Sequence, residues 1–393
     1  MQVIARHILP TIVVAQFCCT SLWFAGNAVM GDLVTAYGLS EGAVAHLTSA
    51  VQFGFITGTL LFALLTIADR FPPARVFFFC AIAGAISNYG LTYDGNSSSS
   101  LLAIRFATGF FLAGIYPVGM KIAADYFQAG LGKSLGYLVG ALVLGTAFPH
   151  LLKAAGTSLE WRSVILFTSL IAALGGLAML LLVGDGPYRK PGQKLDFAAA
   201  FRVFRIPKFR AAAFGYFGHM WELYAFWAFV PLALQYYATT HGLPAKWSVS
   251  LLSFLIIGVG SLGCVVAGYL SIRFGAKKIA ATALAGSGVM CLLAPLLFAV
   301  PMDLLFVLSL LIWGFLVVAD SPLFSTIVAN SVPAESKGSA LTIVNCVGFA
   351  ITIVSIQFLG SLSKQILLPL CFLILSIGPA FGLWALLKKR ANS

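Results

Sequence analysis

Charge is scarce in this sequence. Lys, Arg, Asp and Glu make up 9% of its 393 residues, against a hydrophobic share of 60% and a mean hydropathy of +0.98. A soluble domain carries about 25% charged residues, so this chain has too few to cover a water-facing surface. That excludes a soluble globule and points to a polytopic membrane protein. Acidic residues are scarcer than basic ones, 12 against 24, for a net charge of +12. In a soluble protein such an excess suggests a nucleic-acid partner. Here the basic residues sit in short loops between apolar runs, so membrane topology accounts for them and no nucleic acid is implied. The seven cysteines (18, 19, 80, 264, 291, 346, 371) all lie inside apolar runs, are odd in number and form no CxxC pair. They read as small core residues rather than a disulfide framework or a metal site. The sequence also has no Walker loop, HExxH, nucleophile elbow or His/Cys metal spacing. ATP-driven pumping, a resident metal or cofactor, and a membrane-embedded enzyme therefore find no support.

Apolar runs are what the sequence has in abundance. A bilayer span needs about 20 apolar residues and must be helical, because lipid offers the backbone no hydrogen-bond partner. Twelve such stretches can be cut out: 8–30, 43–68, 76–93, 100–122, 134–153, 163–183, 211–236, 248–271, 279–300, 303–329, 339–360 and 366–387. The first, MQVIARHILPTIVVAQFCC, starts basic like a signal peptide but runs on past signal-peptide length, and reads as a span. The predicted fold class is an all-α membrane protein of twelve transmembrane helices in two six-helix halves.

With both ends placed in the cytoplasm, 18 of the 24 basic residues fall on the inner side and four (Lys153, Arg162, Lys246, Lys364) on the outer side. Arg105 and Lys121 fall within a span. This positive-inside bias sets the expected orientation, in a plasma (inner) membrane. The longest loop, 184–210, follows the sixth span and carries seven basic residues. It divides the chain into an N-terminal half, 1–183, and a C-terminal half, 211–393. Phe197, Phe201 and Phe204 recur in it at helical spacing, which suits a short amphipathic helix on the inner leaflet, or simply a basic connector.

The halves echo one another. TIADRFPPARVFFF follows the second span and GYLSIRFGAKKIAA ends the eighth, with Arg70 and Arg273 203 residues apart. Twelve spans, a central basic loop and these paired loops resemble the major facilitator superfamily of secondary transporters over essentially the whole chain. That family's loop motif reads Gly-x-Leu-x-Asp-Arg-x-Gly-Arg-Lys/Arg. The first copy keeps Asp69 and Arg70, has Leu65 and Pro72 in place of the glycines, and displaces the next arginine to Arg75. The second copy keeps Gly268, Leu270, Arg273, Gly275, Lys277 and Lys278, with Ile272 in place of the acid. The resemblance implies that these loops brace the cytoplasmic gate. The fourth span, RFATGFFLAGIYPVGMKIAADYF, with Arg105, Gly109, Gly114 and Pro117, looks most like the organic-anion symporter branch. The fifth span lacks the Gly-Pro-x-x-Gly-Gly signature of the drug antiporters.

A charge at the bilayer centre costs about 2.5–3.5 kcal/mol on insertion scales, so charged residues in spans face a cavity or a partner. The deeply placed charges are Arg105 in span four, Glu222 in span seven and Asp320 in span ten. Gln16, Thr20, Trp23 and Asn27 of span one fall within about 60° of one another on an ideal helix. By the resemblance, spans one, four, seven and ten line a central cavity. Arg105, Gly109, Leu112 and Tyr116 share a face of span four, and Lys121 lies about 160° away, with Asp125 four residues on as its expected partner. Trp313 and Asp320 share a face of span ten, with Pro322 as a kink. The expected substrate contacts are Gln16, Thr20, Trp23, Asn27, Arg105, Tyr116, His219 and Trp313. Arg105 suits a carboxylate or phosphate through its planar fork of donors. Glu222 and Asp320 are the two candidates for proton coupling, with His219 one turn from Glu222 as a shuttle, a substrate contact or a hydrogen-bonded core histidine.

The reading is a monomeric secondary active transporter that works by alternating access. Its partners are a small polar or anionic metabolite, a proton or other coupling ion, and the lipid bilayer. Two rivals stand beside it: a proton-driven exporter of amphipathic compounds, and a non-transporting sensor built on a transporter fold.

Overall fold

A computed structural model describes residues 6–40, 42–127, 131–155, 160–189, 202–244, 247–333 and 336–388. These residues are helical or in turns, with no strand among them. Ten stretches are long and apolar enough to cross a membrane, from Ala43–Leu64 to Leu368–Leu387. Two more complete the twelve. Span seven is a single 35-residue helix, Pro207–His241. Span one is broken into Ile8–Thr20, Ala25–Ala28 and Met30–Tyr37. Every expected stretch is therefore helical, with edges that differ by a few residues. Residues 190–201 of the connector, which include Phe197 and Phe201, lie outside the described residues, so the amphipathic helix expected there has no structural counterpart to compare.

Each set of six packs chiefly on itself. In the first, span two packs on span four, span three on span six, and span one on spans five and six; in the second, span seven packs on spans eleven and twelve, and span eight on span ten. Two seams join the sets: span five against span eight, and span two against span eleven. At the second seam Gln357 Nε2 donates to Ala45 O at 3.1 Å and Ser49 Oγ at 2.9 Å. At the first, near the face that carries both termini, the Tyr137 and Tyr269 hydroxyls meet at 2.8 Å.

The internal repeat is sharper in three dimensions than in the loops. Gly109 of span four faces the Val51 carbonyl of span two, and Gly314 of span ten faces the Ile256 carbonyl of span eight. Gly58 lies on the Phe110 carbonyl, and Gly263 on the Phe315 carbonyl. Each of these correspondences is an offset of 205 residues. At all four glycines a Cβ would overlap backbone, so only hydrogen permits the approach. The same offset relates Pro117 to Pro322. Each proline sits just inside a helix that restarts after a break: Ser98–Leu112 gives way to Tyr116–Tyr126, and Asp303–Ala319 to Ser321–Ala329. Proline has no N–H to donate four residues back, so the ladder opens there. In span ten the freed Val318 carbonyl accepts from the Cys264 thiol at 3.4 Å.

Span one breaks without a proline. The Thr20 hydroxyl donates to Gln16 O at 2.8 Å and the Ser21 hydroxyl to Cys18 O at 2.7 Å, in competition with the backbone ladder. The chain tightens to three-residue bonds at Leu22 and Trp23, whose own carbonyls are left facing span four.

Candidate functional site

A small cavity lies where the two halves meet. The first half contributes Tyr116, Val139 and Leu142. The second contributes Tyr216, Met220, Leu223, Tyr224 and Trp227 from one face of span seven, Val318 and Ser321 from the span-ten break, and Phe349 from span eleven. Its volume is about 20 Å³, room for about one water. Aromatic packing closes over it. Trp23 stacks on Phe349 and tilts against Tyr224, both at 5.7 Å between centroids, and Phe24 meets Trp227 at 6.2 Å. Span one thus reaches the second half through the two aromatic residues of its unwound segment.

Of the residues expected to touch substrate, Tyr116 lines this cavity. Trp23 sits one layer back, with its Nε1 donating to Gln52 Oε1 at 3.2 Å. Asn27 Nδ2 donates to Thr48 Oγ1 at 2.8 Å. Thr20 bonds back to its own helix. Gln16 is fully buried beside Gly119, and its amide N and O take no partner among the described residues. The even helical stripe drawn through these four positions does not survive, because the break at Ser21–Phe24 resets the rotation between Thr20 and Asn27.

Arg105 is 1% exposed and points at that break. Its Nη1 donates to Leu22 O at 3.2 Å and its Nη2 to Trp23 O at 2.5 Å. Gly26 makes room for the guanidinium, since a Cβ there would lie 3.4 Å from Arg105 Nε. The guanidinium caps carbonyls that the unwound segment leaves free, and forms no ion pair among the described residues.

The acids of the second half part company. Glu222 turns away from the cavity into its own bundle. Its Oε1 accepts from Trp313 Nε1 at 2.6 Å and Cys291 Sγ at 3.3 Å, and its Oε2 from Ser287 Oγ at 2.9 Å. Three donors from spans nine and ten thus surround one acceptor from span seven, which accounts for an acid in so apolar a stretch. Trp313, expected at the substrate, belongs to this cage. Asp320 occupies the break of span ten, beside the cavity residue Ser321. Its Oδ1 lies 2.8 Å from His219 Nδ1, both residues being 1% exposed. The contact is an ion-pair distance with poor hydrogen-bond alignment. Asp320 Oδ2 and His219 Nε2 have no partner among the described residues. The His219 ring lies between Tyr216 and Phe324, each at 5.9 Å.

Near the termini, Lys121 pairs first with Asp69, at 2.9 Å, and only then with the expected Asp125, at 3.8 Å. Arg189 bonds to the Asp69 and Phe71 carbonyls at 3.2 and 3.0 Å and pairs with Asp185 at 2.5 Å. The first loop motif is therefore tied down through Asp69, and Thr66 adopts φ 51° where the loop turns. Arg70, Arg75, Arg273, Lys277 and Lys278 are exposed and form no ion pair among the described residues; Arg273 and Lys278 rest over the Phe274 ring at 5.2 and 5.9 Å.

Sequence reasoning passed over the cavity wall of span seven. Tyr216, Met220, Leu223 and Trp227 recur at helical spacing and share a face, but apolar residues surround the helix on every side and no polar face opposes them. It also passed over His150, which is 2% exposed and whose Nε2 has no partner among the described residues. Among the described residues no cluster of three His, Cys, Asp or Glu side chains is placed to hold a metal.

The comparisons with known proteins fit this architecture. No curated protein matches the sequence. A crystal structure of the human organic anion transporter MFSD10 (TETRAN) superposes with a TM-score of 0.74 at 16% identity, covering 98% of this chain and 100% of that one. A bacterial homolog of the human lysosomal transporter Spinster, inward-facing and unoccupied, superposes with a TM-score of 0.68 at 16% identity, covering 97% and 96%. At that identity the likeness speaks for the fold alone. The sequence model of the Major Facilitator Superfamily matches residues 12–356, and the chain belongs to that family of membrane transporters.

Proposed function

We propose that this chain is a proton-coupled secondary transporter in which the halves 1–183 and 211–393, joined by 184–210, rock about the central cavity and carry a small organic metabolite across the membrane. Both termini are in the cytoplasm, on the basic face of a plasma membrane, and the protein acts as a monomer. The observation that carries the coupling is the His219–Asp320 pair, buried at the break of span ten against a cavity residue. With its proton the pair is net neutral and tolerates a dry surrounding. Without it a bare carboxylate remains, and removing one partner of a buried pair costs about 3–5 kcal/mol. The deprotonated pair is therefore favoured only when one face opens and water reaches it, which ties proton release to opening. Glu222 has its own cage of donors and takes the structural share.

For the cargo, an anionic group reaches Arg105 only if the guanidinium leaves the Leu22 and Trp23 carbonyls. With the guanidinium committed to the backbone, the uncharged polar side of the expected polar-or-anionic cargo is favoured. The test uses proteoliposomes loaded with a pH-reporting dye and challenged with organic acids, amino acids, sugars and uncharged aromatic compounds. The expected result is a compound that shifts lumenal pH with the native protein and has no such effect with Asp320→Asn. A compound-driven pH shift of full size in Asp320→Asn would overturn the assignment of the coupling pair.

A further inference from the structure

The cavity wall has a chemical signature of its own. Tyr116, Tyr216 and Tyr224 are 9%, 5% and 3% exposed and line the cavity, and their hydroxyls take no hydrogen bond among the described residues. Trp227 is fully buried, lines the same space, and its Nε1 is a donor without a partner. Ser321, at the span-ten break, adds a further hydroxyl-bearing residue to the lining. Buried polar groups are almost always satisfied, so the unmet Trp227 donor, with three unbonded tyrosine hydroxyls lining the same cavity, marks a place where something else supplies the bond. An indole N–H only donates. The missing component must therefore bring acceptors.

The wall carries no charge. Asp320 and His219 face each other, Glu222 is saturated inside its bundle, and Arg105 is held by backbone carbonyls. A lipophilic cation would find rings here but would leave every donor unmet. A compact anion would meet donors without a counter-charge, in a site too dry to hold it. An uncharged molecule meets both demands, with an aromatic or aliphatic body against Phe349, Tyr224 and Trp227 and oxygen acceptors toward the hydroxyls.

We infer that this cavity is a binding site for uncharged, largely aromatic organic molecules that carry several hydrogen-bond acceptor oxygens, recognised by the hydroxyls of Tyr116, Tyr216 and Tyr224 and the indole of Trp227. This rests on the cavity being the transport site. Its walls come from both halves, so a space of about 20 Å³ widens as they part.

The experiment is equilibrium binding of radiolabelled flavone to the full chain in nanodiscs. Flavone is uncharged, aromatic, and carries a ketone and an ether oxygen. We expect saturable binding that 2-phenylnaphthalene, similar in bulk but without oxygen, does not displace. Tyr116→Phe and Tyr224→Phe each remove a hydroxyl and little else, and each weakens binding by about threefold to tenfold, the worth of one hydrogen bond. Tyr237→Phe, whose hydroxyl bonds Val300 O outside the cavity, leaves binding unchanged and controls for folding. No saturable binding, equal displacement by 2-phenylnaphthalene, displacement by tetraphenylphosphonium or naphthalene-2-sulfonate, or indifference to both cavity substitutions would each overturn the inference. The pH-reporting proteoliposomes read proton coupling and this equilibrium assay reads ligand recognition, so the two readings fail separately.

Discussion

Replacing Glu222 separates a pin from a proton carrier. In Glu222→Ala, Trp313 Nε1 loses its acceptor at 2.6 Å in a site with no exposure to water. An orphaned buried donor costs about 1–3 kcal/mol. Four heavy atoms leave a void of roughly 50 Å³, which at about 24 cal/mol per Å³ adds about 1 kcal/mol. Ser287 keeps its second bond, to Leu284 O at 3.2 Å, and Cys291 is a weak donor, so neither adds much. The expected loss is about 2–4 kcal/mol. Glu222→Gln behaves differently. Its amide oxygen can stay with Trp313 and Cys291 while its NH2 turns to Ser287, whose hydroxyl rotates to accept. Only charge assistance is lost, about 1 kcal/mol. Equilibrium unfolding in mixed micelles measures both. A loss below 1 kcal/mol for the alanine variant, or equal losses for the two, would refute the caged-pin account.

The glycine contacts make a paired prediction. Gly109→Ala and Gly314→Ala drive a methyl into the Val51 and Ile256 carbonyls and should each cost about 2–3 kcal/mol, whereas a Cβ at Gly31 meets nothing within 4 Å and should stabilise its helix slightly. Thermal unfolding of the three variants decides it; equal behaviour at Gly31 and Gly109 would refute the close-approach argument. The Asp69–Lys121 pair is 24% exposed on each side, so a double-mutant cycle with Asp69→Asn and Lys121→Met should give a coupling of about 0.2–1 kcal/mol that falls as salt is raised. A larger, salt-independent coupling would mean a drier site. Arg105→Lys retains the charge but one point donor replaces a fork on two carbonyls, so the segment Ser21–Phe24 should loosen and its amides exchange faster with deuterium; unchanged exchange would show that Arg105 does not hold the break.

How much of this was legible in the sequence varies with the range of the interaction. The spans announce themselves through composition, because a helix in lipid must be apolar over its own length. Pro117 and Pro322 likewise mark their breaks locally. The break in span one carries no proline. It depends on Thr20 and Ser21 bonding back along the chain and on Arg105 arriving from 82 and 83 residues away, which no local pattern encodes. The stripe through Gln16, Thr20, Trp23 and Asn27 fails for that reason. Glu222 stands out as an acid in need of partners, but a helix with apolar residues on every side gives no hint of which way it turns. Lys121 has Asp125 at the obvious spacing, and the nearer Asp69 belongs to another loop.

The four glycines that seat spans two on four and eight on ten contribute no side chain, and therefore nothing to the cavity wall. Close helix packing and cavity lining are written in separate positions of the chain. Tyr116, Tyr224 or Phe349 can drift without disturbing the backbone seats, and the seats can stay fixed while the wall is rewritten. A chain built this way can change its cavity lining by a handful of substitutions and keep its shape.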